Sequence, residues 1–107
     1  MKKYKVSINE TSNKFIVKFE TNFFLTNHQN YEYNNIDDAS NSPLAQQLFY
    51  LPFVKKIYIS SNFIAIERFN IVEWKDVQQE VAKQIESYLN EGNIVIKENE
   101  KIKKTAV

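Results

Sequence analysis

Apolar and polar residues alternate in two runs near the start of the chain. Tyr4, Val6 and Ile8 alternate with Lys3, Lys5 and Ser7, and Phe15, Val17 and Phe19 are set against Lys14, Ile16, Lys18 and Glu20. A period of two sends successive side chains to opposite faces of an extended backbone, so each run predicts a strand, the second with its Phe face inward. Residues 9–13 between them are turn-like, which makes an antiparallel pair joined by a short polar loop the economical reading. Phe23, Phe24 and Leu25 form an apolar cluster too brief to classify, and Tyr31-Glu32-Tyr33 offers a third strand. Residues 34–41 are mostly Asn, Asp, Ser and Ala, whose side chains compete for backbone hydrogen bonds and favour a loop.

The period then changes to helical. Leu44, Leu48 and Leu51 fall at i, i+4 and i+7, flanked by Ala45 and Phe49, while Gln46, Gln47 and Tyr50 take the outer face. Ser42 suits the N-cap, and Pro43 at the first helical position sacrifices no hydrogen bond. The helix must stop near Leu51, because the ring of Pro52 disfavours α geometry at the residue before it. A hairpin follows, and its register can be argued. With Ser61 and Asn62 as a two-residue loop, Ile59 faces Ile64 and Ile57 faces Ile66 on one side, while Tyr58 faces Ala65 and Lys56 faces Glu67 on the other. A slip would carry apolar residues to the wrong side. The turn itself lacks Gly, and of its two residues Asn62 is expected to tolerate positive φ better.

Trp74, Val77, Val81, Ile85 and Leu89 recur at helical spacing, widened by Ala82 and Tyr88, with Lys75, Gln79, Lys83 and Glu86 on the opposite face. Glu73 and Asp76 sit at the positive end of this second helix. Gly92, the single glycine, lies where a left-handed terminator belongs. Ile94, Val95 and Ile96 offer a last strand before a Lys-rich ending. The pattern predicts an α+β domain: an antiparallel sheet of about four to five strands with two helices packed on one face, in the order β-β-(β)-α-β-β-α. Residues 1–92 make the domain and residues 93–107 a tail or linker.

Composition narrows what such a domain can do. A chain of 107 residues holds one core, and 14% aromatic residues can fill much of it with rings. A net charge of +1 gives no bulk attraction to duplex DNA or an anionic membrane. With no cysteine, the chain has no disulfide, no thiol nucleophile and no thiolate ligand for zinc or an iron–sulfur cluster. No apolar run approaches the roughly 20 residues of a membrane span, and the chain reads as soluble and cytoplasmic.

The chain carries few candidate reactive groups. His28 is the lone histidine, among Thr26, Asn27, Gln29 and Asn30. Asp37-Asp38 lacks the ligand spacing and the Gly bend of a calcium loop. One Gly cannot build a phosphate cradle, and no Ser has a His nearby in sequence. Enzymatic activity has no support, and no catalytic, cofactor-binding or metal residue is assigned. Aromatics interleaved with Lys, as in Lys55-Lys56-Ile57-Tyr58, together with the helix–hairpin–helix order, resemble an RNA-recognition layout. The aromatic Gly-containing strand signature of that module is absent, as is a basic surplus, so a small RNA-binding module stands only as the alternative.

One resemblance covers most of the chain. Ser42-Pro43-Leu44-Ala45, Leu48-Phe49, Val54 with Ile57, Asn62-Phe63-Ile64, Glu73-Trp74 and Gly92 resemble, in order and spacing, the N-terminal domain of NifU-like (Nfu-type) iron–sulfur cluster scaffold proteins. The resemblance implies a non-catalytic accessory or interaction domain without cluster ligands of its own. Any iron–sulfur cluster is then expected only on a separate Cys-containing domain, and partners are iron–sulfur assembly or client proteins or the protein's own C-terminal cluster-binding domain. This leaves the chain an excised domain or a stand-alone member, and the Lys-rich ending favours excision. The chain departs from the family at Phe53, where the family usually has Gly, which puts the geometry of the helix-to-hairpin link in question. Tyr50, Leu51, Pro52 and Phe53 in that link are the candidate partner contact; the competing reading is that these rings close the core.

Overall fold

The computed structural model describes residues 3–97, and in it the two alternating runs form the first hairpin. β1 (Val6–Glu10) pairs antiparallel with β2 (Ile16–Thr21), with Ile8 opposite Phe19. Asn9 and Glu10 extend the strand instead of joining the loop, because side chains further on suffice to close the turn. Thr11 Oγ1 accepts from the Asn13 N–H at 3.1 Å, and Asn13 Oδ1 accepts from the Phe15 N–H at 2.9 Å. Tyr31 and its neighbours do form β3 (Asn30–Tyr33), and β4 (Val54–Ser60) and β5 (Phe63–Arg68) form the predicted hairpin. All pairings are antiparallel, in the order β1-β2-β5-β4-β3.

The register argued from the isoleucines holds: Ile59 lies opposite Ile64, Ile57 opposite Ile66, Tyr58 opposite Ala65 and Lys56 opposite Glu67. On its other edge β5 sets Ile64 against Phe19 and Ile66 against Val17, so one continuous apolar face results. Phe19 and all four isoleucines are fully buried there. Alternation alone would place Val54 and Ile57 on opposite faces. A β-bulge between Val54 and Lys56 absorbs Lys55 as an extra residue, and both apolar side chains turn inward.

At the hairpin tip, Ser61 and not Asn62 takes the positive φ, at 51°. The reason is non-local. Ser61 O accepts from Leu25 N at 2.6 Å, Ser61 N donates to Thr26 Oγ1 at 3.1 Å, and Asn62 O accepts from Thr21 N at 2.7 Å. The brief apolar cluster after β2 is thus a brace across the turn. Those bonds hold a non-glycine residue in a region that costs roughly 1–2 kcal/mol.

Both helices bury against the inward face of the sheet. In α1 (Pro43–Phe49), Ser42 Oγ accepts from the Ala45 N–H at 3.1 Å, and Leu44, Ala45 and Leu48 are completely buried. In α2 (Trp74–Asn90), Trp74, Val81, Ala82, Ile85 and Leu89 form the buried stripe, and Gly92 follows the helix with φ 81°. The loop over 34–41 tightens into a 3-10 turn (Ile36–Ala39) whose first N–H groups are capped by the Asn35 side chain, and it buries Ala39. Ile94, Val95 and Ile96 do not form the last strand expected of them, and Lys97 continues the same irregular segment. Their backbone groups are taken by the helices: Tyr88 donates its hydroxyl to Ile94 O at 2.6 Å, Ser42 Oγ donates to Val95 O at 2.7 Å, and Lys97 N donates to Asn41 O at 2.7 Å. The rest of the Lys-rich ending lies outside the described residues. No helix among those described is long and apolar enough to cross a membrane.

Candidate interaction surface

The link from α1 to β4 closes as a tight turn in which Leu51 O accepts from Val54 N at 3.1 Å, with Pro52 at the second position, where its fixed φ fits. Phe53 keeps a negative φ, since the positive values among the described residues are at His28, Ser61 and Gly92. The turn therefore has no need of the family's Gly. The four predicted contact residues differ in exposure. Tyr50 is 77% exposed and Pro52 is exposed, Leu51 is half-buried, and Phe53 is 8% exposed. Phe53 meets Trp74 edge-on at 5.9 Å, and Trp74 in turn meets Phe19 at 5.7 Å. Trp74 Nε1 donates to Phe15 O at 2.8 Å, which locks the indole over the start of β2.

Leu51 and Phe53 also form one wall of a groove of about 370 Å³ whose other wall is α2. Val77 and Val81 supply its apolar lining, and Glu80 and Lys83 stand at its rim with opposite charge. The β5–α2 loop carries further exposed apolar residues that neither period predicts. Phe69 N donates to Phe53 O at 2.8 Å, bringing the β5–α2 loop beside the link, and there Phe69 is 45% and Ile71 65% exposed. The signal was available: Phe69, Ile71 and Val72 are apolar residues between two assigned elements that belong to neither period. Arg68, its side chain 1% exposed, lies beneath this loop with its guanidinium 4.9 Å from the Phe15 ring, 3.3 Å from Phe69 O and 3.4 Å from Glu73. Its Nε has no hydrogen-bond partner.

The remaining candidates have structural roles or none. His28 sits in an exposed loop with φ 66°. Asp38 Oδ2 accepts from Asn34 N at 3.0 Å and so belongs to the 3-10 turn. Among the described residues no group of three or more His, Asp or Glu side chains converges as a metal site would require. On the uncovered sheet face, Tyr58 and Phe63 tilt against each other at 6.0 Å and Lys18 stands 4.2 Å over the Phe63 ring. Lys56 pairs with Glu32 at 3.3 Å and Lys55 with Glu67 at 3.6 Å. Those carboxylates oppose a phosphate backbone, and the rings pack on each other.

The described residues form an α+β domain, a five-stranded antiparallel sheet backed by two helices, with a groove between α2 and the α1–β4 link. Residues 6–92 match the family described as scaffold protein Nfu/NifU N terminal, and the chain belongs to that family. Among solved structures it is similar to a NifU-like protein of Saccharomyces cerevisiae, with 25% identity, a TM-score of 0.75, and coverage of 87% of this chain and 84% of that one. It is also similar to protein SAV1430 of Staphylococcus aureus, with 25% identity and a TM-score of 0.63 over 74% of this chain and 95% of that one. The fold is shared with SeR13 of Staphylococcus epidermidis, at 22% identity, a TM-score of 0.53, and coverage of 81% and 95%. No curated protein matches the chain significantly.

Proposed function

We propose that this chain is a non-catalytic interaction domain of an iron–sulfur cluster scaffold or carrier acting in the cytoplasm. Residues 1–92 form the working domain and residues 93–107 a C-terminal tail or linker. It carries no cluster of its own, since it has no cysteine to supply a thiolate, and it engages an iron–sulfur assembly or client protein. The observation that carries the reading is exposed apolar surface on the α1–β4 link and on the β5–α2 loop bonded to it: Tyr50, Phe69 and Ile71 are exposed, and Leu51 and Phe53 line a groove against α2. Aromatic groups beside a preformed apolar groove are the usual anchors of a protein contact.

Calorimetric titration against a purified cluster-bearing scaffold protein tests the surface, with a separately purified Cys-x-x-Cys cluster-binding domain as the second titrant. Tyr50→Ala and Ile71→Ser should each weaken the contact by about thirty-fold if they are anchors. Binding unchanged in both variants removes the surface from the proposal. Reconstitution with iron and sulfide should leave the chain colourless, and an iron–sulfur chromophore on it would overturn the absence of a cluster.

A further inference from the structure

Ser42 does more than a helix cap requires. Capping uses only a lone pair of its Oγ, which accepts from Ala45 N. The hydroxyl hydrogen remains, and it is donated to Val95 O, 53 positions away in sequence. Asp, Asn and Ser cap helices about equally well, but a carboxylate cannot donate, and Ser42 is completely buried, so a compact hydroxyl does both jobs in little space. Three more bonds converge on the same short segment. Tyr88 donates its hydroxyl to Ile94 O, Asn93 Nδ2 donates to Tyr88 O at 3.2 Å, and Lys97 N donates to Asn41 O. The Asn41 side chain is itself held by the Tyr33 hydroxyl at 2.8 Å. Val95 and Ile96 pack against the core at the same place.

We propose that the Asn41–Ser42 corner at the start of α1 is a latch that binds the segment following α2 and thereby fixes where the chain leaves the domain. The segment crosses from the end of α2 to the beginning of α1, and Lys97 lies at the end of α1 opposite Leu51. The latch and the groove mouth thus lie at different ends of α1. The latch stands whether or not the groove binds a partner, because none of its bonds involves a groove residue other than through α2.

Amide hydrogen exchange followed by NMR on the full chain tests the latch. In the wild-type protein the Lys97 amide should exchange at least about ten-fold more slowly than in an unfolded chain, since its N–H is bonded. Ser42→Asp keeps the cap acceptor and removes the donor: Lys97 should lose its protection while Ala45 keeps its own. Tyr88→Phe removes one anchor without touching α1 and should speed exchange at Lys97 by about three- to ten-fold, the usual effect of one net hydrogen bond, with the α2 amides unchanged. If Ser42→Asp fails to fold, Ser42→Gly, which removes the donor at small cost to the cap, takes its place. A wild-type Lys97 amide exchanging at the unfolded rate, or one equally protected in a folded Ser42 variant, overturns the proposal.

Discussion

Phe53→Ala and Tyr50→Ala, three positions apart, should behave as opposites. Phe53 is 8% exposed and its ring meets Trp74 at 88° and 5.9 Å. Removing a buried Phe side chain costs about 3–5 kcal/mol, of which the edge-on aromatic contact accounts for about 0.5–1.5 kcal/mol. The ring also borders the groove, so solvent can relieve part of the cavity, and the expected loss lies at the lower end, about 3 kcal/mol. For a domain of this size that corresponds to a fall in Tm of roughly 12–24 °C. Tyr50, 77% exposed and at the C-cap of α1, should change stability by no more than about 0.5 kcal/mol.

Urea unfolding measures both. Far-ultraviolet dichroism reports the fold, and the fluorescence of the single tryptophan, Trp74, reports the neighbourhood of Phe53 directly. Coincident transitions with an unchanged m-value would show that stability, not the denatured state, has moved. A Phe53→Ala loss below about 1 kcal/mol would mean that the ring is not part of the core in solution, and the division of the link into core and surface residues would fail. The expected result has a practical consequence for function. Loss of partner binding in Phe53→Ala would report unfolding, whereas loss in Tyr50→Ala or Ile71→Ser would report the contact.

Three further expectations concern residues whose environment works against them. Arg68 is buried with Nε unpartnered, and its ion pair to Glu73 is long, at 3.4 Å, with a partner 62% exposed. Arg68→Met should therefore be neutral or up to about 2 kcal/mol more stable in urea, because the desolvation of the cation outweighs weak contacts; a loss above 2 kcal/mol would refute this weighing. Ser61 holds a φ of 51°. Ser61→Gly relieves roughly 1–2 kcal/mol of backbone strain against about 0.5–1 kcal/mol of added chain entropy, so a small gain in Tm is expected, and a clear loss would contradict it. Burial raises the Tyr33 pKa above its usual value, partly offset by hydrogen bonds to Ser42 and Asn41. The neutral phenol's contribution is complete below about pH 10, the unfolded value, and is lost as pH rises through the folded one. Wild type should lose stability above pH 10 more steeply than Tyr33→Phe, and parallel profiles would count against the assignment; Tyr88, also raised by burial, is common to both.

Which of these features could be read from the chain depends on how far away each residue's partner lies. The helix punctuation was local: Ser42 and Pro43 begin α1, Pro52 forbids its continuation, and Gly92 takes the left-handed conformation after α2. The β4–β5 register was legible because a slip of one residue would have exposed four isoleucines, a penalty written within a dozen positions of sequence. The bulge at Lys55 left a trace in the broken parity of Val54 and Ile57. The positive φ of Ser61 left none, since the bonds that hold it come from Leu25 and Thr26. Ile94, Val95 and Ile96 have the composition of a strand, but the tertiary hydrogen bonds of Val95 O to Ser42 and of Lys97 N to Asn41 overrode that propensity. The candidate surface is the extreme case. Half of it, Tyr50 and Leu51, was visible as apolar groups beside a helix stop. The other half lies on the loop of Phe69 and Ile71, which one backbone bond between Phe69 and Phe53 brings beside the link. An exposed apolar residue has no period to betray it, so its meaning comes from its neighbours, and here those neighbours are set by how the sheet brings two loops to one end.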